Sequence, residues 1–187
     1  WTNYPIAFNT ITPCVEACRE KNISEIIMTV WGDDGNECDY YSMLPVIQFY
    51  ADHCYCDKFE KDNFRQNLLG SSDIDFKEWE AAGRIDFPKN SNERNCSNVS
   101  KVLLWEDPLY GLYQPLIHGA NISRHFESIN ANLKKSLLKN GAHDKRLELP
   151  FQLSKLLMMK CDFPTRLRKA YKNKKTRLRR PRLGFPR

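Results

Sequence analysis

The sequence predicts an α/β unit of a parallel sheet followed by a small all-helical bundle. Three observations carry this. Glu25-Ile-Ile-Met-Thr-Val-Trp31 is a nearly continuous apolar run of strand length, as in a strand buried on both faces. Helical patterns flank it on either side, with the polar stretch Gly32-Asp-Asp-Gly-Asn36 between strand and second helix. After Cys56 the chain turns charged, and its apolar residues recur at helical spacing.

Taken in order, Thr10 to Lys21 predicts the first helix. Thr10 or Thr12 caps it, Pro13 sits in its first turn, and Val15 and Cys18 form its apolar face. Asn22 begins a short turn into the strand. Tyr40 to Tyr55 predicts the next helix, with Leu44, Ile47, Tyr50 and Ala51 on one stripe. The order helix, buried strand, Gly/Asp loop, helix is that of a parallel-sheet unit, and chemistry in such units collects in loops behind the carboxyl ends of strands.

Lys58 to Glu80 predicts short amphipathic helices through Phe59, Phe64, Leu68, Phe76 and Trp79. Residues 87–99 are polar and read as a surface loop. Lys101 to Pro108 is a short apolar segment ending in a proline turn. Asn121 to Lys139 predicts a helix with Ile122, Phe126, Ile129, Leu133 and Leu137 on one face. Pro150 to Lys172 predicts another, with Pro150 in its first turn and Pro164 as a break or kink.

Composition narrows the class. The chain of 187 residues is 41% hydrophobic and 12% aromatic, enough for a packed core. No run of about 18 apolar residues is present, so no membrane span is expected. The N-terminus has no signal-peptide pattern, and a chain that opens on Trp rather than Met is expected to be a processed or truncated piece. Eleven of the 29 Lys/Arg lie in the last 22 residues with no acid among them, leaving 18 bases against 23 acids before them. The net charge of +6 is therefore a property of the tail, which is expected to be solvated and disordered, with nucleic acid not the expected partner.

The seven cysteines (Cys14, Cys18, Cys38, Cys54, Cys56, Cys96, Cys161) form no paired C-x-x-C framework. Cys14 and Cys18 stand four apart with no His or second pair beside them in sequence, and Cys54-Tyr-Cys56 is isolated too. Buried or half-buried free thiols in a cytoplasmic protein are the expectation, and no metal or cofactor is. The four histidines (His53, His118, His125, His143) share no ligand spacing and are assigned no role.

The segment Trp31 to Glu37 is the one that suggests chemistry. A tryptophan ending a buried strand, with a carboxylate two residues on, suits a sugar: the ring stacks on a pyranose face and the carboxylate accepts hydroxyl hydrogen bonds. The alternative is a core Trp beside a turn. Asp33 and Asp34 do not form an acid/base pair, because adjacent side chains diverge while glycosidase carboxylates face each other about 5–9.5 Å apart. Glu37 serves a supporting role or caps the next helix.

Glu25 to Cys38 (EIIMTVWGDDGNEC), continuing through Ser42-Met-Leu-Pro45, resembles the last barrel strand and loop of family-20 glycoside hydrolases. The nearest branch is that of bacterial exo-β-N-acetylglucosaminidases with a helical C-terminal domain. Leu103-Leu-Trp-Glu-Asp-Pro-Leu-Tyr-Gly111, with Pro115 and Leu116, is similar to that branch. So are Leu147-Glu-Leu-Pro-Phe-Gln-Leu-Ser-Lys-Leu-Leu157 and Arg166-Leu-Arg-Lys-Ala-Tyr171. The polar tail after Lys172 departs from the pattern, which continues with a further helix.

The resemblance implies residues 1–56 as the C-terminal segment of a TIM (β/α)₈ barrel, 57–172 as a helical domain and 173–187 as a basic tail. It implies a β-N-acetylhexosaminidase acting on terminal N-acetylhexosamine, in which the substrate's own 2-acetamido group attacks the anomeric carbon. Trp31 then resembles the floor of the −1 sugar site, and Asp33 the carboxylate that holds the 4- and 6-hydroxyls. Trp1 resembles a tryptophan lining the acetamide pocket. The family's catalytic Asp-Glu pair is expected upstream of Trp1, so no catalytic residue is assigned and the chain alone is expected to be inactive. An N-acetylglucosamine-containing glycan is the implied substrate, with the missing barrel half or a homodimer mate as protein partner. A non-enzymatic helical protein with a nucleic-acid-contacting tail, or an inactive gene remnant, is the alternative.

Overall fold

Asn3 and Pro5 set the start of the first helix. The Asn3 side chain accepts a hydrogen bond from the Ile6 amide at 3.2 Å, and Pro5 falls in the first turn, where its missing N–H costs nothing. The computed structural model describes residues 1–30, 39–86, 99–110, 121–139 and 141–173. In it α1 runs Tyr4–Glu20, longer than the sequence predicts, with Pro13 inside it. The hydroxyls of Thr10 and Thr12 are not caps. They bond back to the carbonyls of Ile6, Ala7 and Phe8, as Ser and Thr do in helix interiors.

The strand expected over Glu25–Trp31 is not formed in its described part, residues 25–30, and among the described residues there is no sheet, hence no α/β unit. Ile26 and Met28 are half-buried and alternate with exposed Ile27 and Thr29; Ile27 is 87% exposed. A continuous apolar run encodes burial on two faces, but a strand also requires neighbours to pair its backbone groups. Here only one side of the run finds a surface. The rest of the expected strand, Trp31, lies outside the described residues, as does the predicted surface loop apart from its last residue, Val99.

A 3₁₀ turn (Tyr40–Met43), capped by Asp39, leads into α2 (Leu44–Tyr55). The buried stripe of α2 is Val46, Phe49 and His53, not the predicted stripe, since Ile47 is exposed. Phe49 decides the rotation: its ring stacks on Phe8 of α1 at 4.0 Å between centroids. Helices α3 (Lys61–Ser72) and α4 (Phe76–Trp79) add Phe64, Leu68, Phe76 and Trp79 to this core. Fully burying one such side chain contributes about 1.5–3 kcal/mol. Arg19 joins α1 to the end of α2, its guanidinium donating to the carbonyls of His53 and of Cys56.

A 3₁₀ turn at Ala82–Arg84 packs on α1 and on the later helix Ile122–Leu137. Helix α5 (Val99–Trp105) buries Leu103. Helix α6 (Ile122–Leu137) is capped by Asn121 and buries Ile122, Phe126, Ile129 and Leu133, the face its periodicity predicts. Its main partner is α7 (Glu148–Lys160), preceded by a 3₁₀ turn at Asp144–Leu147. Asn130 of α6 donates to the Phe151 carbonyl at 3.1 Å and to the Ser154 hydroxyl at 3.0 Å. The chain breaks after α7 and resumes as α8 (Phe163–Lys172), with Pro164 in its first turn. The break predicted at Pro164 is present, falling at Cys161–Asp162, with Pro164 in the first turn of the helix that follows.

Candidate functional site

Trp31, Asp33 and Glu37 lie outside the described residues; the structure shows what holds the chain on either side of them. Upstream, the Tyr50 hydroxyl donates to the Ile26 carbonyl at 3.0 Å. Burial first, then its hydrogen bond to Cys54, push the Tyr50 phenol up to about 12, so it stays protonated and remains a donor. Met28 packs against the core.

Downstream, Asp39 uses both carboxylate oxygens. Oδ1 accepts from the Tyr41 amide at 2.9 Å and Oδ2 pairs with Arg146 Nη1 at 2.5 Å. The Arg146 guanidinium also lies over the Tyr41 ring, 3.6 Å from its centre, and His143 packs beside that ring. Tyr41 is thus held between two residues that flank the start of the 3₁₀ turn at Asp144.

Trp1, the remaining predicted site residue, is half-buried. Its indole N–H donates to the Tyr4 hydroxyl at 3.0 Å, and its ring meets Trp79 edge-on at 5.1 Å. The next residue, Thr2, is buried and shares a 2.6 Å hydrogen bond with Ser42, and its hydroxyl also reaches Met43 Sδ at 3.1 Å. The fold therefore brings the chain at Trp1 beside the chain that leaves the 31–38 segment. Sequence reasoning did not include Asp39, Tyr41, Thr2 or Arg146. An aspartate before an aromatic pair signals a local cap, but nothing local points to an arginine 107 residues away.

Behind Trp79 stands a charged group. Glu78 pairs with Lys139 at 2.5 Å, its side chain only 11% exposed. Burial raises the Glu78 carboxyl above its ordinary value despite Lys139, with Asp144 adding to the rise, whereas Glu78 holds Lys139 above its own. The two partners differ because the exposed lysine gives up little hydration and the carboxylate gives up most of its own.

His53 is a core residue. It lies between Phe49 and Phe59, with Nδ1 donating to the Phe49 carbonyl at 2.9 Å and Nε2 meeting the Thr12 hydroxyl at 3.1 Å. Cys161 is buried and Cys18 and Cys54 half-buried, as expected of free thiols, but Cys14 and Cys56 are exposed; Cys38 and Cys96 lie outside the described residues. Among the described residues no three ligating side chains converge on one point, and no helix is long and apolar enough to cross a membrane.

Residues 77–181, more than half of the chain, match the family model described as the Glycoside Hydrolase 20C C-terminal domain. The chain belongs to this family. The match begins within α4 and covers α5 to α8, so these helices belong to the family's C-terminal domain, while α1 to α3 lie before it. Glycosidic bonds are the chemistry of such a family and glycans its general substrate class. No curated protein matches the chain.

Proposed function

We propose that the chain is the C-terminal part of a β-N-acetylhexosaminidase, of the exo-β-N-acetylglucosaminidase branch, that removes terminal N-acetylhexosamine with retention through the substrate's own acetamide. In this reading residues 1–56 complete a (β/α)₈ barrel, 57–172 form the helical domain and 173–187 a basic tail. The protein works in the cytoplasm. Trp31 stacks on the sugar in the −1 site, Asp33 accepts its 4- and 6-hydroxyls, Glu37 supports the loop and Trp1 lines the acetamide pocket. The general acid comes from a preceding part of the barrel.

The family match over residues 77–181 carries this reading. The hydrogen bond between Thr2 and Ser42 supports it, because it sets Trp1 next to the chain leaving Trp31 to Glu37. The apolar residue Ile27, 87% exposed in the run Glu25–Val30, fits the same reading, since a neighbouring barrel element would cover it.

The test is turnover of a nitrophenyl N-acetylglucosaminide by the purified 187-residue chain, alone and with a separately expressed upstream barrel segment. No hydrolysis alone and hydrolysis on mixing are expected, with activity lost in W31A and D33N. Turnover by the chain alone would overturn the division of labour.

A further inference from the structure

Asp39 is the first described residue after the segment expected to bind the sugar, and it is held both locally and from far away. The Oδ1 bond to the Tyr41 amide, at 2.9 Å, is the ordinary local cap of an aspartate before a turn. The Oδ2 pair with Arg146 Nη1, at 2.5 Å, has no local origin. Arg146 belongs to the 3₁₀ turn in front of α7, inside the family's C-terminal domain. Its guanidinium also lies 3.6 Å from the centre of the Tyr41 ring, so one side chain fixes two residues of the outgoing chain. Thr2 holds a third, Ser42, at 2.6 Å.

Arg146 reaches out from a fixed base. Leu147 after it is fully buried in the core, and Asp144 before it is buried and accepts from the Gly141 amide at 2.6 Å. The Arg146 amide donates to the His143 carbonyl at 3.0 Å, and the His143 ring packs on Tyr41. The turn itself packs on both α6 and α7, so it cannot shift without disturbing them.

Magnitudes separate two roles for this contact. A partly exposed ion pair contributes little to stability, and a small loss leaves nearly every molecule folded. A binding site is far more sensitive to position, where a displacement of about 1 Å costs up to about a hundredfold. Each residue of chain spans at most about 3.6 Å. What fixes Asp39 therefore also limits where Glu37 and Asp33, two and six residues before it, can lie.

We propose that Arg146 is a positioning residue for the sugar site: acting through Asp39 and Tyr41, it lets the C-terminal helical domain set the segment that carries Trp31 and Asp33. This rests on the hexosaminidase reading, in which Trp31 and Asp33 hold the sugar.

Kinetics and hydrogen exchange test it together. In the mixture with the upstream barrel segment, R146M is expected to raise KM about tenfold and leave kcat within about twofold, at a temperature where the variant stays folded. R146K, which keeps a charge for Asp39, recovers part of that rise. In the 187-residue chain alone, amide exchange of residues 31–38 quickens in R146M while that of α6 does not change. An active mixture whose KM ignores R146M overturns the proposal, as does exchange of residues 31–38 that ignores it. So does a loss of turnover that only follows the unfolded fraction, since a purely structural contact behaves that way. An inactive mixture of the unaltered chain counts against the hexosaminidase reading instead, and the exchange measurement still decides whether Arg146 holds the segment.

Discussion

Asp39 and Arg146, 107 residues apart, form a 2.5 Å ion pair that ties the chain leaving residues 31–38 to the 3₁₀ turn in front of α7. Both side chains are partly exposed, at 24% and 33%, so the pair by itself is worth little. The contact of Arg146 with the Tyr41 ring adds a second term of similar size. R146M keeps much of the apolar stem and removes both, and is expected to cost about 1 kcal/mol. The check is the urea midpoint of R146M, D39N and the double variant. Additive losses would mean that the two residues are not coupled; a double variant no worse than R146M alone is expected.

Gly83 meets the Tyr4 ring so closely that a Cβ built on it would lie 2.1 Å from the ring edge. Tyr4 is 1% exposed and its hydroxyl holds Trp1, so the ring has no room to retreat. G83A should therefore destabilise by about 1–3 kcal/mol through overpacking. Because Tyr4 holds Trp1, the Trp fluorescence spectrum of folded G83A should also shift. Unchanged stability and unchanged emission would show that the ring moves freely.

The parts of the fold readable in the sequence are those whose signals are local. Asn121 before Ile122, Phe126, Ile129 and Leu133 states both the start and the buried face of α6. Pro150 states the first turn of α7 in the same way. Where two local signals compete, the reading fails: Thr12-Pro13 resembles a helix start as well as Asn3-Tyr4-Pro5 does, and only the packing of Tyr4 and Phe8 decides for the earlier one. The apolar run before Trp31 encodes burial without naming what buries it. Of the candidate site, Trp31, Asp33 and Glu37 are legible only as a motif, whereas the Asp39–Arg146 and Thr2–Ser42 links exist only once the chain is folded.

Glu78 and His125 give stability opposite pH dependences. Burial, opposed in part by its hydrogen bonds to the Arg84 and Ile85 backbone, holds the His125 ring below its ordinary 6.5, and Nε2 donates to the Arg84 carbonyl at 2.9 Å. A lowered folded value favours the neutral ring, so this contribution is full above 6.5 and is lost as pH falls through the lowered value. Glu78 runs the other way. Its carboxyl is raised above 4.5, mainly by burial, so its contribution is full below 4.5 and is lost as pH rises through the raised value. H125Q, which keeps an N–H for Arg84, should flatten the fall in stability between pH 7 and 5. E78Q should be more stable than the unaltered chain at pH 7 and lose that advantage near pH 4. Denaturant midpoints measured across this range decide both. An E78Q chain weaker at pH 7 would mean that the Lys139 pair outweighs the desolvation of the carboxylate, reversing the balance assigned to Glu78.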